Sequence, residues 1–441
     1  MSGVPSDSCE IPPGVRRSIW IAAAVFLIWV FALAIRHPFL PGNNTFSAFF
    51  YAARAIGNDV RPKGWPPDYI YPPLLAFLLQ PLARLPIAVA FRVWLGLSFL
   101  LTCSSMLVGW NAISGLNRLH WKNAVTIVLA AFLLSAGEAK TEWSVAQCDG
   151  LVLDAFSFSL ALLFGNPILA GLVIAFGANI KYQTLVLVPY LFWRGHWRAG
   201  LAATLGFPII GCLSVFSLGW QGNQEAWASA LGGLGKFVGL HTDRTARIHD
   251  LDWTSSISLP SAWARILPVM GVSAKWAYPV AGLIAVALFG SIIWLYRRHG
   301  QPLRGPLPDR RLAVFEWSSI VLFLLAFGPQ TTRRHLFLLM LPHLLVVILL
   351  FSRALARRQR MLLLVTLIIY QLGLRLPPSG GWLDSAADGW KWLGGPGWCL
   401  LPLLVVLLKT GLELGERSLG TLDCPQSRVD GMQLRHEWTR W

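Results

Sequence analysis

Few side chains in this sequence could do chemistry, because it is 55% hydrophobic and only 13% charged. Two carboxylates stand out. Asp149 closes the run Ala146-Gln147-Cys148-Asp149, and Asp68 stands just ahead of Tyr71-Pro72-Pro73. An ionised carboxylate can take a proton from a hydroxyl. Three sites offer cations: Lys181 between two short apolar runs, Arg334-His335 at the start of a late apolar run, and Arg54 near the beginning. A lysine between apolar runs is costly unless it meets an anion, and a phosphate at a membrane surface lies within reach of cations at helix ends. Plainer roles are open to each residue. Asp149 could cap a helix starting at Gly150, Asp68 could be a solvated loop acid, and Arg333 could reach lipid headgroups. Asp154 falls one turn into an apolar run, where it is either functional or neutral and hydrogen-bonded. Glu138 and Glu142 lie in a short polar loop and could pair with Lys140. Neither a Gly-x-Ser-x-Gly elbow nor a phosphate-binding or dinucleotide glycine fingerprint is present.

The elements that must position these residues follow from hydropathy. Mean hydropathy is +0.55, and apolar runs of span length recur along the chain, so the composition implies a polytopic, all-α membrane protein. The runs are 18–36, 90–112, 123–137, 150–164, 167–180, 182–194, 199–220, 276–296, 312–329, 336–352, 361–374 and 397–413, about twelve crossings on the ~20-residue criterion. The net charge of +16 sits mostly in short loops, which argues for topology and lipid headgroups and against nucleic acid. The clusters at Arg16-Arg17, Arg118/Lys122, Arg194/Arg198, 297–311 and 353–360 share one side only if a helix beginning at Tyr71 adds no crossing. Both termini (1–17 and 414–441) are then cytoplasmic, around a transmembrane domain spanning 18–413. Segments 37–72, 138–149, 221–275, 330–335 and 375–396 are outside. Within the first of these, Phe46, Phe49, Phe50 and Ala53 recur at helical spacing, with Ser47, Tyr51 and Arg54 on another face. A Pro-rich loop follows, then an apolar helix from Tyr71 to Leu85. The long segment 221–275, with Trp227, His241, Asp243, His249, Asp250, Asp252 and Trp253, reads as a loop over a site. The six cysteines form neither a disulfide framework nor a metal pattern.

This layout resembles glycosyltransferase family 87, polyprenyl-phosphate-mannose-dependent mannosyltransferases of the GT-C type. The resemblance is carried by Thr45-Phe46, Ala52-Ala53-Arg54-Ala55, Gly57-Asn58-Asp59, Tyr71-Pro72-Pro73, Pro81 to Pro86, Gln147, Lys181 to Arg198, and His335. It implies a GT-C-like bundle in a bacterial cytoplasmic membrane. The activity implied is transfer of a hexose, most often mannose, from a polyprenyl-phosphate donor to a lipid-linked or envelope glycan, with inversion and on the outer face. It also implies roles in substrate binding for Arg54, Gln147, Lys181, Arg334 and His335. No cofactor is implied beyond the donor itself, and a divalent ion stays open. The family's acidic position holds Thr45, whose hydroxyl can cap a helix but is far too weak an acid to serve as a base. The base would then be Asp149 or Asp68. The alternatives are a flippase for a lipid-linked sugar, for which no repeats or paired broken helices are found, and an inactive family member that binds glycolipid.

Overall fold

The computed structural model describes residues 11–36, 45–57, 69–114, 121–237, 250–307, 309–352, 355–375 and 384–422, which are helical almost throughout and contain no strand. The chain opens with α1 (Pro13–Arg36). Next, α2 (Thr45–Gly57) folds on the predicted face: Phe46, Phe49, Phe50 and Ala53 are buried, and Tyr51 and Arg54 are exposed. Ser47, expected with the outward residues, is buried.

The helix expected from Tyr71 to Leu85 is two short pieces, α3 (Pro73–Leu78) and α4 (Gln80–Ala83). Pro81 has no N–H for the Phe77 carbonyl, and its ring would clash there in a continuous helix, so the chain breaks at Leu79. Six residues of α-helix reach about 9 Å against the ~30 Å of a hydrocarbon core, so α3 does not cross. Its start is fixed instead by Tyr69, whose buried hydroxyl donates to the Pro72 carbonyl at 2.8 Å and accepts the Ala76 N–H at 3.1 Å.

A long helix, α5 (Ile87–Ser114), leads to α6 (Trp121–Leu134) and α7 (Ala136–Val145), which meet at 67° across Ser135. Glu138 and Glu142 therefore lie on a helix and not in a loop. Lys140 pairs with neither, because its ammonium sits 4.6 Å from the centre of the Trp29 ring. The bend is held from inside. Ser135 Oγ lies 2.6 Å from His343 Nδ1, and His343 Nε2 lies 3.0 Å from the Tyr370 hydroxyl.

The middle of the chain packs α8 (Asp149–Leu162) on α9 (Pro167–Ile180), then continues through a 3-10 turn at Tyr182–Val186, α10 (Leu187–Trp193) and α11 (Trp197–Gly211). Asp154 binds Ser104 and Ser105 of α5 at 2.6 and 2.7 Å, the hydrogen-bonded alternative of the two expected for it. Small residues line the α9–α11 contact: Gly171, Ala175, Ala178, Ala199 and Ala203 are all buried, letting the backbones approach closely.

The segment expected as one loop over 221–275 is helical over much of its length. It enters α12 (Val215–Phe237), kinked at Gly219 where φ is 67°, and includes α13 (Leu259–Val269). Trp227 is structural, packed on Phe207 at 5.5 Å and donating to the Gly211 carbonyl at 3.3 Å. His241, Asp243 and His249 lie outside the described residues.

The remainder comprises α14 (Ala277–Arg298), α15 (Arg310–Phe327), a 3-10 turn at Arg333–Leu339, α16 (Met340–Phe351), α17 (Arg357–Arg375), α18 (Asp384–Trp392) and α19 (Gly395–Leu422). Glu316 of α15 gathers Arg194, Tyr190 and Tyr296 around one buried carboxylate. Every charge there has a partner, as a buried pair requires. Among the described residues five helices are long and apolar enough to cross a membrane, six if the α6–α7 pair counts as one bent span. Of the remaining segments in the twelve-crossing reading, α8 and α9 have only 14 residues each.

Candidate active site

Four separate parts of the chain meet around Asp149, and the start of α2 joins them as a fifth. The first is the turn between α7 and α8. Ala146 ends α7 in the left-handed conformation, φ 49° and ψ 55°, the single non-glycine residue with positive φ among those described. That conformation costs a residue with a Cβ about 1–2 kcal/mol. It is stabilised by the Trp94 indole N–H, shared between the Ala146 and Gln147 carbonyls at 3.1 and 3.2 Å. Ala146→Gly should raise the melting temperature, by the equivalent of about 1 kcal/mol, because the strain exceeds glycine's extra unfolded entropy. A thermal melt in detergent checks this.

The turn aims Asp149 inward. Asp149 is the first residue of α8, preceded by Cys148 at the cap position, so it is not the N-cap of a helix starting at Gly150. Its N–H donates to Glu142 Oε1 at 2.8 Å. Its side chain has no exposed surface, and Oδ1 accepts from Lys181 Nζ at 2.5 Å. Oδ2 is buried with no partner, as is Glu142 Oε2. Burial opposes ionisation of the carboxylate, yet the Lys181 ammonium beside it, with Arg334 behind, holds its pKa below the ordinary value. The carboxylate in turn keeps Lys181 charged despite burial.

Lys181 comes from the second part, the end of α9, where the backbone turns extended and the 3-10 turn begins. The ammonium lies 5.4 Å from the ring centre of Tyr71, which belongs to the third part, the approach to α3. Tyr71 OH is 3.5 Å from Gln147 Oε1, and Gln147 Nε2 donates to Thr45 Oγ1 at 2.9 Å. Thr45 is the first residue of α2.

The fourth part is the 3-10 turn at Arg333–Leu339. Arg334 Nη1 donates to Thr45 Oγ1 at 3.4 Å, while Nε is buried without a partner. His335 Nδ1 accepts the Thr332 N–H at 3.1 Å, so the imidazole holds the turn that presents Arg334. The backbone just before that turn is anchored by the region before and within α13. Gln330 Nε2 donates to the Asp250 carbonyl at 3.0 Å, Ile257 N–H to the Thr331 carbonyl at 2.7 Å, and Ser261 Oγ to the Pro329 carbonyl at 3.0 Å.

Thus Gln147, Asp149, Lys181, Arg334 and His335, far apart in the sequence, converge with Thr45. Arg54 does not join them. It is exposed near the far end of α2, about 13 Å along the helix from Thr45. Asp68 lies outside the described residues. Sequence reasoning missed Glu142 and Tyr71 as members. A glutamate in the last turn before an Ala-Gln-Cys-Asp bend was the available signal for Glu142. The sequence marks Tyr71 as a helix start and as part of the Tyr71-Pro72-Pro73 motif, and not as a site residue.

Chemically the cluster has two poles. One is a buried carboxylate kept ionised, with an oxygen free. The other is a guanidinium with donors to spare beside a hydroxyl. Proton acceptance at one and anion stabilisation at the other are what transfer of a phosphate-activated group requires. Curated proteins yield no match to the chain. The sequence profile of glycosyltransferase family 87 matches residues 69–315, which takes in Tyr71, Glu142, Gln147, Asp149 and Lys181. That match covers more than half of the 441 residues, and the chain is a membrane glycosyltransferase of family 87.

Proposed function

We propose that the protein moves a hexose, mannose, from a polyprenyl-phosphate donor to a hydroxyl of a lipid-linked or envelope glycan. The observation that carries this reading is the buried Asp149–Lys181 pair set beside the partly unsatisfied Arg334. In the reaction the acceptor oxygen attacks the anomeric carbon, and its proton passes to Asp149 Oδ2. The bond from that carbon to the phosphate oxygen breaks, and its electron pair stays on the phosphate. Attack and departure on opposite faces invert the anomeric centre. The two poles suit that geometry, Asp149 on the attacking side and Arg334 on the leaving side.

Lys181, expected to meet the phosphate, here meets Asp149, so its role is to keep the base ionised. Gln147 bridges the poles through Tyr71 and Thr45. The sugar arrives already activated by its phosphate, so the reading calls on no cofactor. In this reading the protein is a multi-pass protein of a bacterial cytoplasmic membrane, and the basic loop clusters support an orientation with both termini inside and the site outside. Its partners are then the lipid donor, the glycan acceptor and the surrounding lipids.

The test is transfer of labelled mannose from polyprenyl phosphate mannose in detergent. Asp149→Asn should lower the rate 10²–10⁴-fold, the usual worth of a general base. Because the Asp149 pKa is depressed, activity should stay flat from neutrality down to about pH 4, then fall as acid titrates the carboxylate. An Asp149→Asn protein that transfers as fast as the native chain would remove Asp149 as the base. A native chain that transfers no sugar from any polyprenyl donor would defeat the reading as a whole.

A further inference from the structure

Thr45 stands where the two poles join, and its hydrogen-bond accounting points to a use for it. A hydroxyl carries two lone pairs and one hydrogen. Gln147 Nε2 and Arg334 Nη1 both donate to Thr45 Oγ1, at 2.9 and 3.4 Å. With both lone pairs engaged, the hydroxyl hydrogen is left to donate. Among the described residues nothing accepts it, since the partners recorded for Thr45 are these two donors.

Arg334 shows the same surplus. A guanidinium has five N–H donors and no acceptor. Its one hydrogen bond goes to a neutral hydroxyl, its Nε is buried and unpaired, and no carboxylate lies within ion-pairing distance among the described residues. The nearby acid, Asp149, is engaged by Lys181. A partly buried cation without a counter-ion, next to a hydroxyl with a hydrogen to give, is arranged to receive an anion. Thr45 cannot serve as the base, because a threonine hydroxyl does not ionise near neutrality.

We propose that Thr45 and Arg334 together form the seat for the phosphate of the lipid donor, Thr45 giving one hydrogen bond and Arg334 the charge. The proposal rests on the reading of the site as a lipid-phosphate sugar transferase, and assigns position 45 to anion binding. The position of Gln147 then has a purpose: its amide turns the Thr45 hydroxyl toward the ligand. As the bond to the anomeric carbon breaks, charge grows on the phosphate, and both donors become stronger partners for it.

Binding, measured apart from turnover, tests this. Sugar-free polyprenyl phosphate in detergent is titrated against the native protein, Thr45→Ser, Thr45→Val and Thr45→Asp, each first checked for a native elution profile and melting temperature. Thr45→Ser keeps the donor and should bind within about twofold. Thr45→Val loses a charge-assisted hydrogen bond and should bind at least tenfold more weakly. Thr45→Asp gives Arg334 an internal counter-ion and repels the phosphate, so its loss should be larger still. Displacement of the bound lipid by inorganic phosphate isolates the anion seat from the lipid chain. The Thr45→Val change should weaken that competition too.

Native-like binding by Thr45→Val, or tighter binding or faster transfer by Thr45→Asp, overturns the proposal. Either result leaves the transferase reading standing if Asp149→Asn still stops transfer. A native chain that binds no polyprenyl phosphate overturns the donor reading and the proposal together.

Discussion

Lys181→Met is expected to cost about 3–5 kcal/mol of stability, the loss that follows when one partner of a buried ion pair is removed. Asp149 has no exposed surface and Lys181 only 5%. Solvent screening therefore cannot rescue the orphaned carboxylate, which would either stay charged in a low-dielectric site or take up a proton. The expected result is a sharp drop in the fraction of protein that elutes as a folded species from detergent, with a lowered melting temperature. The double variant Lys181→Met/Asp149→Asn should recover most of that loss, because neither charge remains to be compensated. It should nevertheless transfer sugar no faster than Asp149→Asn alone, about 10²–10⁴-fold below the native rate. Recovery of the fold without recovery of turnover separates the structural role of the pair from its chemical one. If Lys181→Met alone melts like the native protein, the pair is not the buried contact described above. The pH dependence has a matching sign. Asp149 has a lowered folded-state pKa, so the stability it adds is complete above about pH 3.9 and is lost as pH falls through the folded value.

How much of this arrangement was legible in the sequence depended on the range of the interaction that fixes each part. Periodicity found α2 and its buried aromatic face, because the i, i+3, i+4 pattern of Phe46, Phe49 and Phe50 is local. The cost of a lysine between apolar runs pointed to Lys181 meeting an anion, and it does meet one, a carboxylate of the same chain 32 residues away. That partner depends on the packing of α8 against α9, which no local pattern records. The same limit hid Glu142. It was placed in a polar loop because Glu138, Lys140 and Glu142 look solvated, whereas α7 is a helix tied to the rest through His343, Trp94 and Asp149. Proline placement misled once. Tyr71-Pro72-Pro73 marked a helix start correctly, but Pro81 ended that helix earlier than hydropathy suggested. The 221–275 segment read as a loop on its polar content, yet Trp227 and Ala226 give α12 an inward face beyond the Gly219 kink.

Gly171→Ala should be nearly as damaging as the loss of Lys181, although it lies outside the site. A Cβ at Gly171 would stand 2.2 Å from the Ala199 carbonyl oxygen, 2.7 Å from Ala202 Cβ and 2.9 Å from the Ala203 nitrogen. Two of those atoms are backbone, so no rotamer change can give way, and α9 must move off α11. Overpacking a well-filled contact costs about 1–3 kcal/mol, and a clash with helical backbone belongs at the upper end. The displacement carries to the site because α9 ends at Lys181. Asn179, about two turns further along α9, also donates to the Phe207 carbonyl of α11 at 2.9 Å and would be strained with it. Gly171→Ala is therefore expected to lower both melting temperature and transfer rate. Gly165→Ala supplies the control, since nothing lies within 4 Å of its added Cβ, and its effect should stay within about 0.5 kcal/mol. Gly171→Ala with both native stability and native transfer would mean that α9 and α11 are not in backbone contact. Native stability with reduced transfer would mean that the helices part without unfolding, and that the reaction depends on how α9 delivers Lys181 to Asp149.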